Sequence, residues 1–194
     1  VVKMTLSEDE KARLADVVQL QPTKNKELQD RWSLDSGSAV HQYLENHLQE
    51  YYYRDDNSLI RATDEAANVA DVDPGVEGDD IPSVIRVSPL QASIFEHVAG
   101  PDARSQSVVS VLQTVREVTE EEPTVDDVRE ALESLRRKGV LERIYRTVPT
   151  YRRITERESI DVERLGAVDT DTGTDTETDT AIIERIESDF QLPD

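Results

Sequence analysis

The sequence predicts an α+β protein, mainly helical, with two small modules in tandem and an acidic tail. Apolar residues recur at helical spacing through both halves, and in each half the helices give way to two short β-type runs. Between the halves, residues 71–83 (DVDPGVEGDDIPS) are rich in Asp, Gly and Pro with almost no apolar periodicity, which reads as a linker. The chain has 194 residues, 36% of them hydrophobic and 5% aromatic, a length and composition that suit two small helical cores.

The first module is predicted over residues 5–70. Ser7 is an N-cap type and Glu10, three residues on, completes a capping-box pattern. Leu14, Val17, Val18 and Leu20 continue the helix face as far as Pro22. Thr23 reads as the next N-cap, with Leu28 and Trp32 marking a short second helix. After the turn residues 33–38, Ala39, Val40, Tyr43, Leu44 and Leu48 resume the helical period. Tyr51-Tyr52-Tyr53-Arg54 and Ser58-Leu59-Ile60-Arg61 are then strand-like, joined through Asp55-Asp56-Asn57 as a hairpin. Tyr51, Tyr52 and Tyr53 could stack on bases, but alternation along a strand predicts that either Tyr52 or its two neighbours face the core.

The second module is predicted over residues 84–155. Val84 to Val87 suits a short strand. Leu90, Ile94, Phe95 and Val98 give one helix face, ending at Gly100-Pro101, and Val108, Val111, Leu112 and Val115 give another. Thr124 caps a third helix whose inward positions are Val125, Val128, Leu132 and Leu135, and Gly139 ends it. Residues 140–147 and 151–154 follow as strands across Val148-Pro149-Thr150. Residues 156–194 hold 13 acids and three arginines, and the run DTDTGTDTETDT has nothing to bury; this part is predicted to be a disordered acidic tail. Within it, Ile182, Ile183, Ile186 and Phe190 are spaced for a short amphipathic helix that could dock on this chain or on a partner.

Helices closed by a β-hairpin, twice over, resemble the winged helix-turn-helix superfamily. The chain is similar to a tandem winged-helix protein of an uncharacterised haloarchaeal family. That resemblance covers about 150 residues and implies DNA-binding or regulatory roles.

Charge narrows the reading. The formal net charge is -20, with 42 acids against 17 Arg and 5 Lys, a balance that looks like an adaptation to molar internal salt. At ~1 M salt the Debye length falls to about 3 Å, so local charge governs contact with a polyanion. Against this background residues 136–153 (RRKGVLERIYRTVPTYRR) hold seven basic residues and one acid, Glu142. Arg136, Arg137 and Lys138 at a helix end, with Arg143, Arg146, Arg152 and Arg153 on the hairpin, are candidate phosphate contacts, since Arg suits bidentate grip. Strand alternation sends Arg143 and Arg146 to opposite faces, so the seven cannot all touch one surface. The bland alternative is that these arginines pair with neighbouring carboxylates.

In the first module the candidate reading helix offers Ser36, Ser38, His41 and Gln42, with Lys24 and Lys26 near the start of the preceding helix. Short polar groups and an amide can read base edges, and Gln pairs bidentately with adenine. An ordinary solvated helix face has the same composition. Asp126, Asp127, Glu130 and Glu133 on the second module's third helix would repel phosphates, which favours the first module as the reader of sequence.

Catalysis has no foothold here: there is no cysteine, G-x-S-x-G, phosphate loop or dinucleotide fingerprint. His41, His47 and His97 lack ligand spacing. Asp169, Asp171, Gly173 and Asp175 superficially follow a calcium loop, but the glycine falls at the fifth position and Thr180 stands where a glutamate is needed. No catalytic residue, metal or cofactor is therefore expected. With neither an apolar run of spanning length nor a leader, the expectation is a cytoplasmic protein that does not enter membranes.

The expectation is a non-enzymatic transcriptional regulator that binds double-stranded DNA, with a homodimer on a two-fold operator or a protein partner as further possibilities. The alternative is a protein-interaction adaptor of tandem winged helices, similar to the kleisin-associated subunits of chromosome-condensing complexes. The acidic face of the 124–138 helix favours that alternative.

Overall fold

Ser7 begins the first helix by exchanging hydrogen bonds with Glu10: the Glu10 amide donates to Ser7 Oγ and the Ser7 amide to Glu10 Oε2. These bonds satisfy amide groups that a helix start leaves without partners. In a computed structural model, which describes residues 5–166, α1 runs over Glu8–Leu20, α2 over Asn25–Trp32 and α3 over Gly37–His47. A hairpin of β1 (Tyr52–Arg54) and β2 (Ile60–Ala62) follows, then α4 (Asp64–Ala70). Leu14, Val17, Val18, Leu28, Val40, Leu44, Leu48 and Ile60 are fully buried and make the first core.

Two details differ from expectation in this half. Thr23 is not the cap of α2, because its backbone pairs in both directions with Ile60 as an isolated bridge, and Lys24 takes the N-cap position. The tyrosine run does not alternate cleanly. Tyr51 precedes the strand and is buried, Tyr52 is half-buried, and Tyr53 is exposed.

The second half opens with β3 (Val76–Glu77) and β4 (Val84–Val87), then α5 (Pro89–His97), β5 (Gln106–Ser107), α6 (Val108–Val118) and α7 (Val125–Arg137). Strands β6 (Leu141–Ile144) and β7 (Thr150–Arg153) make an antiparallel hairpin, and β5 adds to its far edge, giving the order β5-β7-β6. Thr124 caps α7 with Asp127 as its box partner. Gly139, at φ +81°, turns the chain out of the helix, and the Val140 amide donates back to the Leu135 carbonyl. Phe95, Leu132, Leu135, Val115, Val140 and Tyr151 lie in the second core.

The boundaries of the second half are wider than the sequence suggested. Residues 71–83 do not hang free. Within them β3 pairs with β4, and the Gly75 amide donates to the Val18 carbonyl at 2.9 Å, fastening the segment to α1. Nor does order end at residue 155. A 3-10 turn (Arg157–Ser159) leads to β8 (Asp161–Arg164), which pairs parallel with β4 while Ile160 is buried in the second core. Arg86 of β4 ties the three strands by ion pairs to Glu77 on one side and Glu163 on the other. The acidic repeat, the calcium-like run and the Ile182 to Phe190 pattern lie outside the described residues.

The chain is thus α+β, with seven α-helices and three small sheets among the described residues. None of those helices is long and apolar enough to cross a membrane.

Candidate nucleic-acid interface

Helix α3 starts where Ser36 Oγ accepts from the Ala39 amide at 3.1 Å. Val40, Leu44 and the following Leu48 turn inward, so Ser38, His41, Gln42 and Glu45 must face solvent together, and all four are exposed. Ser38, His41 and Gln42 have no side-chain partner within the described residues, whereas Ser36 spends its hydroxyl on the cap. Glu45 accepts a hydrogen bond from the Tyr52 hydroxyl. Burial together with that bond pushes the Tyr52 phenol up to about 12.

The hairpin is locked to this helix. Arg54 Nη2 donates to Asn25 Oδ1 at 2.9 Å, and Asn25 Nδ2 donates to the Gly37 carbonyl at 3.0 Å. One asparagine therefore joins β1, the start of α2 and the first turn of α3. Lys24 and Lys26 flank that junction, exposed and with no ionic partner among the described residues.

The seven basic residues of 136–153 are placed very differently. Glu133 receives Arg136 Nε at 2.9 Å, Arg143 Nη1 at 2.9 Å and the Tyr151 hydroxyl at 2.7 Å. Burial pushes the Glu133 carboxyl upward, but the Tyr151 and Arg136 bonds outweigh it and hold it below the usual glutamate range. Arg152 pairs with Glu142. Arg153 Nη1 donates to the Phe95 and Glu96 carbonyls at 2.9 and 3.2 Å, sealing the end of α5. Arg137 is paired with Glu27 of α2, its side chain only 5% exposed. Lys138, 4% exposed, sends Nζ to the Gln21 carbonyl at 3.0 Å, at the end of α1.

What reads as one basic island is therefore a set of internal fasteners, and Arg137 and Lys138 in particular belong to the contact between the two halves. The physical reason is supply: in an acid-rich fold nearly every guanidinium finds an acceptor nearby. Of the seven, only Arg146, at the β6–β7 turn, has a side chain with no partner among the described residues.

Arg146 has a neighbour that sequence reasoning missed. Arg104, also exposed and unpaired, lines with it a groove of about 520 Å³ beside β5 and the turn. The two lie 42 positions apart and meet because β5 pairs with β7, Gln106 opposite Tyr151 and Ser107 opposite Thr150. No local signal in the sequence announces that pairing, since β5 has two residues.

Helix α7 does not present its acids to open solvent alone. Asp127 and Glu130 line a cleft of about 610 Å³ opposite Asp16, Glu27 and Asp30 of α1 and α2. Among the described residues, no cluster of three or more His, Asp or Glu is arranged to hold a metal ion. No curated protein and no solved structure matches the chain. A family model does match, over residues 6–165, a span that takes in both halves, the segment between them and β8. The chain belongs to that family, a family of unknown function designated DUF5797.

Proposed function

We propose that the chain is a DNA-binding protein of tandem winged-helix type, acting in transcription regulation from a salt-adapted cytoplasm, and that α3 is its sequence-reading helix. The order α5, β5, α6, α7, β6, β7 with a β5-β7-β6 sheet supports a winged helix in the second half, and α1, α2, α3 with the β1–β2 hairpin supports one in the first. The observation that carries the reading is the α3 face: Ser38, His41 and Gln42 stand exposed and free of internal partners among the described residues, and Lys24 and Lys26 flank Asn25, whose side chain bonds the Gly37 carbonyl at the start of α3. Donors and acceptors left open on a packed helix are what base edges need. Residues in the second half that are tied up internally are left out of the proposed interface.

Selection from a random duplex pool with the full chain, at salt from ~0.1 M to ~1 M, tests this. An enriched sequence should emerge, and Gln42→Ala should weaken its binding by about 5- to 100-fold, as expected for one lost bidentate base contact, while random duplex binds as before. A pool that yields no preferred sequence, or a Gln42→Ala chain that binds the selected duplex unchanged, refutes α3 as the reader.

One observation favours the adaptor reading. The cleft between α7 and the first half is lined by five carboxylates, from Asp16, Glu27, Asp30, Asp127 and Glu130, against three cations, Arg31, Arg86 and Lys138, an acidic excess that suits a basic protein segment better than DNA. A stoichiometric protein retained on the full chain after nuclease treatment, and lost in Asp127→Lys with Glu130→Lys, would move the assignment to that reading.

A further inference from the structure

We infer that the groove holding Arg104 and Arg146 is a phosphate site, and that its occupant is a phosphodiester group of the DNA backbone; the second clause rests on the DNA-binding reading. Sixteen arginines fall within the described residues, and fourteen of them engage an acid, a carbonyl, an amide or an aromatic ring. Arg104 and Arg146 are the two that do not. In a chain of 42 acids and 22 bases, two unpaired guanidiniums in one groove are not explained by the fold.

The lining strengthens this. Around the two arginines stand Ser105, Ser107, Thr147 and Thr150, all hydroxyl residues, the Ser105 and Thr150 hydroxyls bonded to each other, and among the described residues no carboxylate lines the groove. Asp102, the acid nearest to Arg104 in sequence, is exposed and outside the lining. Guanidiniums supply the charge and planar donors, and hydroxyls supply further donors, which is the chemistry that grips a phosphate oxygen. Val148, which also lines the groove, is 57% exposed, apolar surface that a ligand on the arginines would cover.

The test uses the full chain and the double variant Arg104→Gln with Arg146→Gln. Both side chains are exposed and unpartnered, so the variant should fold as the parent does, checked by circular dichroism and denaturation midpoint. Duplex affinity is measured from ~0.1 M to ~1 M salt. Each phosphate contact adds about -0.9 to the slope of log affinity against log salt, so the variant's slope should be shallower by about that amount. Its affinity at the lowest salt should fall about tenfold, as for lost charge-assisted bonds.

Preference for a selected sequence over random duplex should stay as it was, because it resides in α3. Equal slopes and affinities for the two chains overturn the site. Inorganic phosphate, titrated by calorimetry, separates the two sources of this chemistry: saturation at micromolar phosphate, with duplex binding untouched by it, would assign the groove to a free phosphate and overturn the DNA clause. A pool without a preferred sequence, together with the predicted slope change, sinks the α3 reading and leaves this site standing. The reverse pair of results does the opposite.

Discussion

Replacing Lys138 by methionine isolates one contribution to the contact between the two halves. The amine is 4% exposed, and burial lowers its pKa from the usual 10.5 to about 8, with the Glu27 charge opposing and Arg137 reinforcing the shift. Each tenfold difference in proton affinity between folded and unfolded chain is worth about 1.4 kcal/mol, so the folded state carries a penalty of about 3 kcal/mol for holding Lys138 charged near neutral pH. The sign follows from which state holds the proton. Between pH 8 and 10.5 the unfolded chain still binds it while the folded chain has let it go, so stability gained from this group rises with pH across that window.

Methionine keeps the length of the stem and has no proton to lose. It leaves the Gln21 carbonyl without its donor, a loss of about 1–3 kcal/mol that does not titrate. Urea denaturation of parent and Lys138→Met, each at pH 7 and again at pH 10.5, gives four free energies. The parent should gain about 3 kcal/mol on the variant between the two pH values. Tyrosines titrate in both chains, so their contribution cancels in the difference. A gap between the chains that stays constant with pH would refute the placement of Lys138 as a buried, charge-penalised amine.

Two other perturbations follow from the packing. Glu133→Gln leaves the Tyr151 hydroxyl an acceptor but uncouples Arg136 and Arg143, and should cost about 1–3 kcal/mol of stability at neutral pH. Because the Glu133 carboxyl titrates below its usual 4.5 in the folded chain, that cost should shrink as pH falls through the lowered value, where the parent is protonated too; a cost that persists unchanged in acid denies Glu133 its charged role. Gly75→Ala would drive a methyl into the Gln19 carbonyl oxygen and crowd Lys138 Nζ, so it should lower stability by about 1–3 kcal/mol. An unchanged urea midpoint would mean that residues 71–83 are not fastened to α1.

Elements whose stabilising partners are near in sequence were legible. Ser7 with Glu10 and Thr124 with the first turn of α7 each mark a helix start through contacts three residues apart, and both helices begin where those residues place them. The β6–β7 hairpin was legible from its two runs and the intervening Pro149. What escaped depends on distant partners. Strand β8 has the charged sequence DVER, and its stabilisation comes from a parallel edge on β4, 77 positions earlier. Parallel pairing leaves no local turn to read. Thr23 has the composition of a cap, but its backbone was claimed by Ile60.

The same distinction governs the candidate site. Charge density along a sequence records how many cations a segment contains, whereas a ligand meets only those that the fold has left unsatisfied. Six of the seven basic residues in 136–153 are held by acids or carbonyls, two of them across the contact between halves. Freeing Arg136, Arg137 or Arg143 for a phosphate would strip a largely buried glutamate of a partner, at a cost similar to the gain. Arg146 escapes because a hairpin tip has no packed neighbour, and Arg104 joins it because β5 brings a remote loop to that tip. At ~1 M salt screening reduces charges a few ångströms away to little, and one phosphate contact weakens as its counterion release loses value. Affinity would then rest on the neutral bonds of α3, so in molar salt the Gln42→Ala loss should exceed that of the two-arginine variant, and near ~0.1 M the order should narrow or invert.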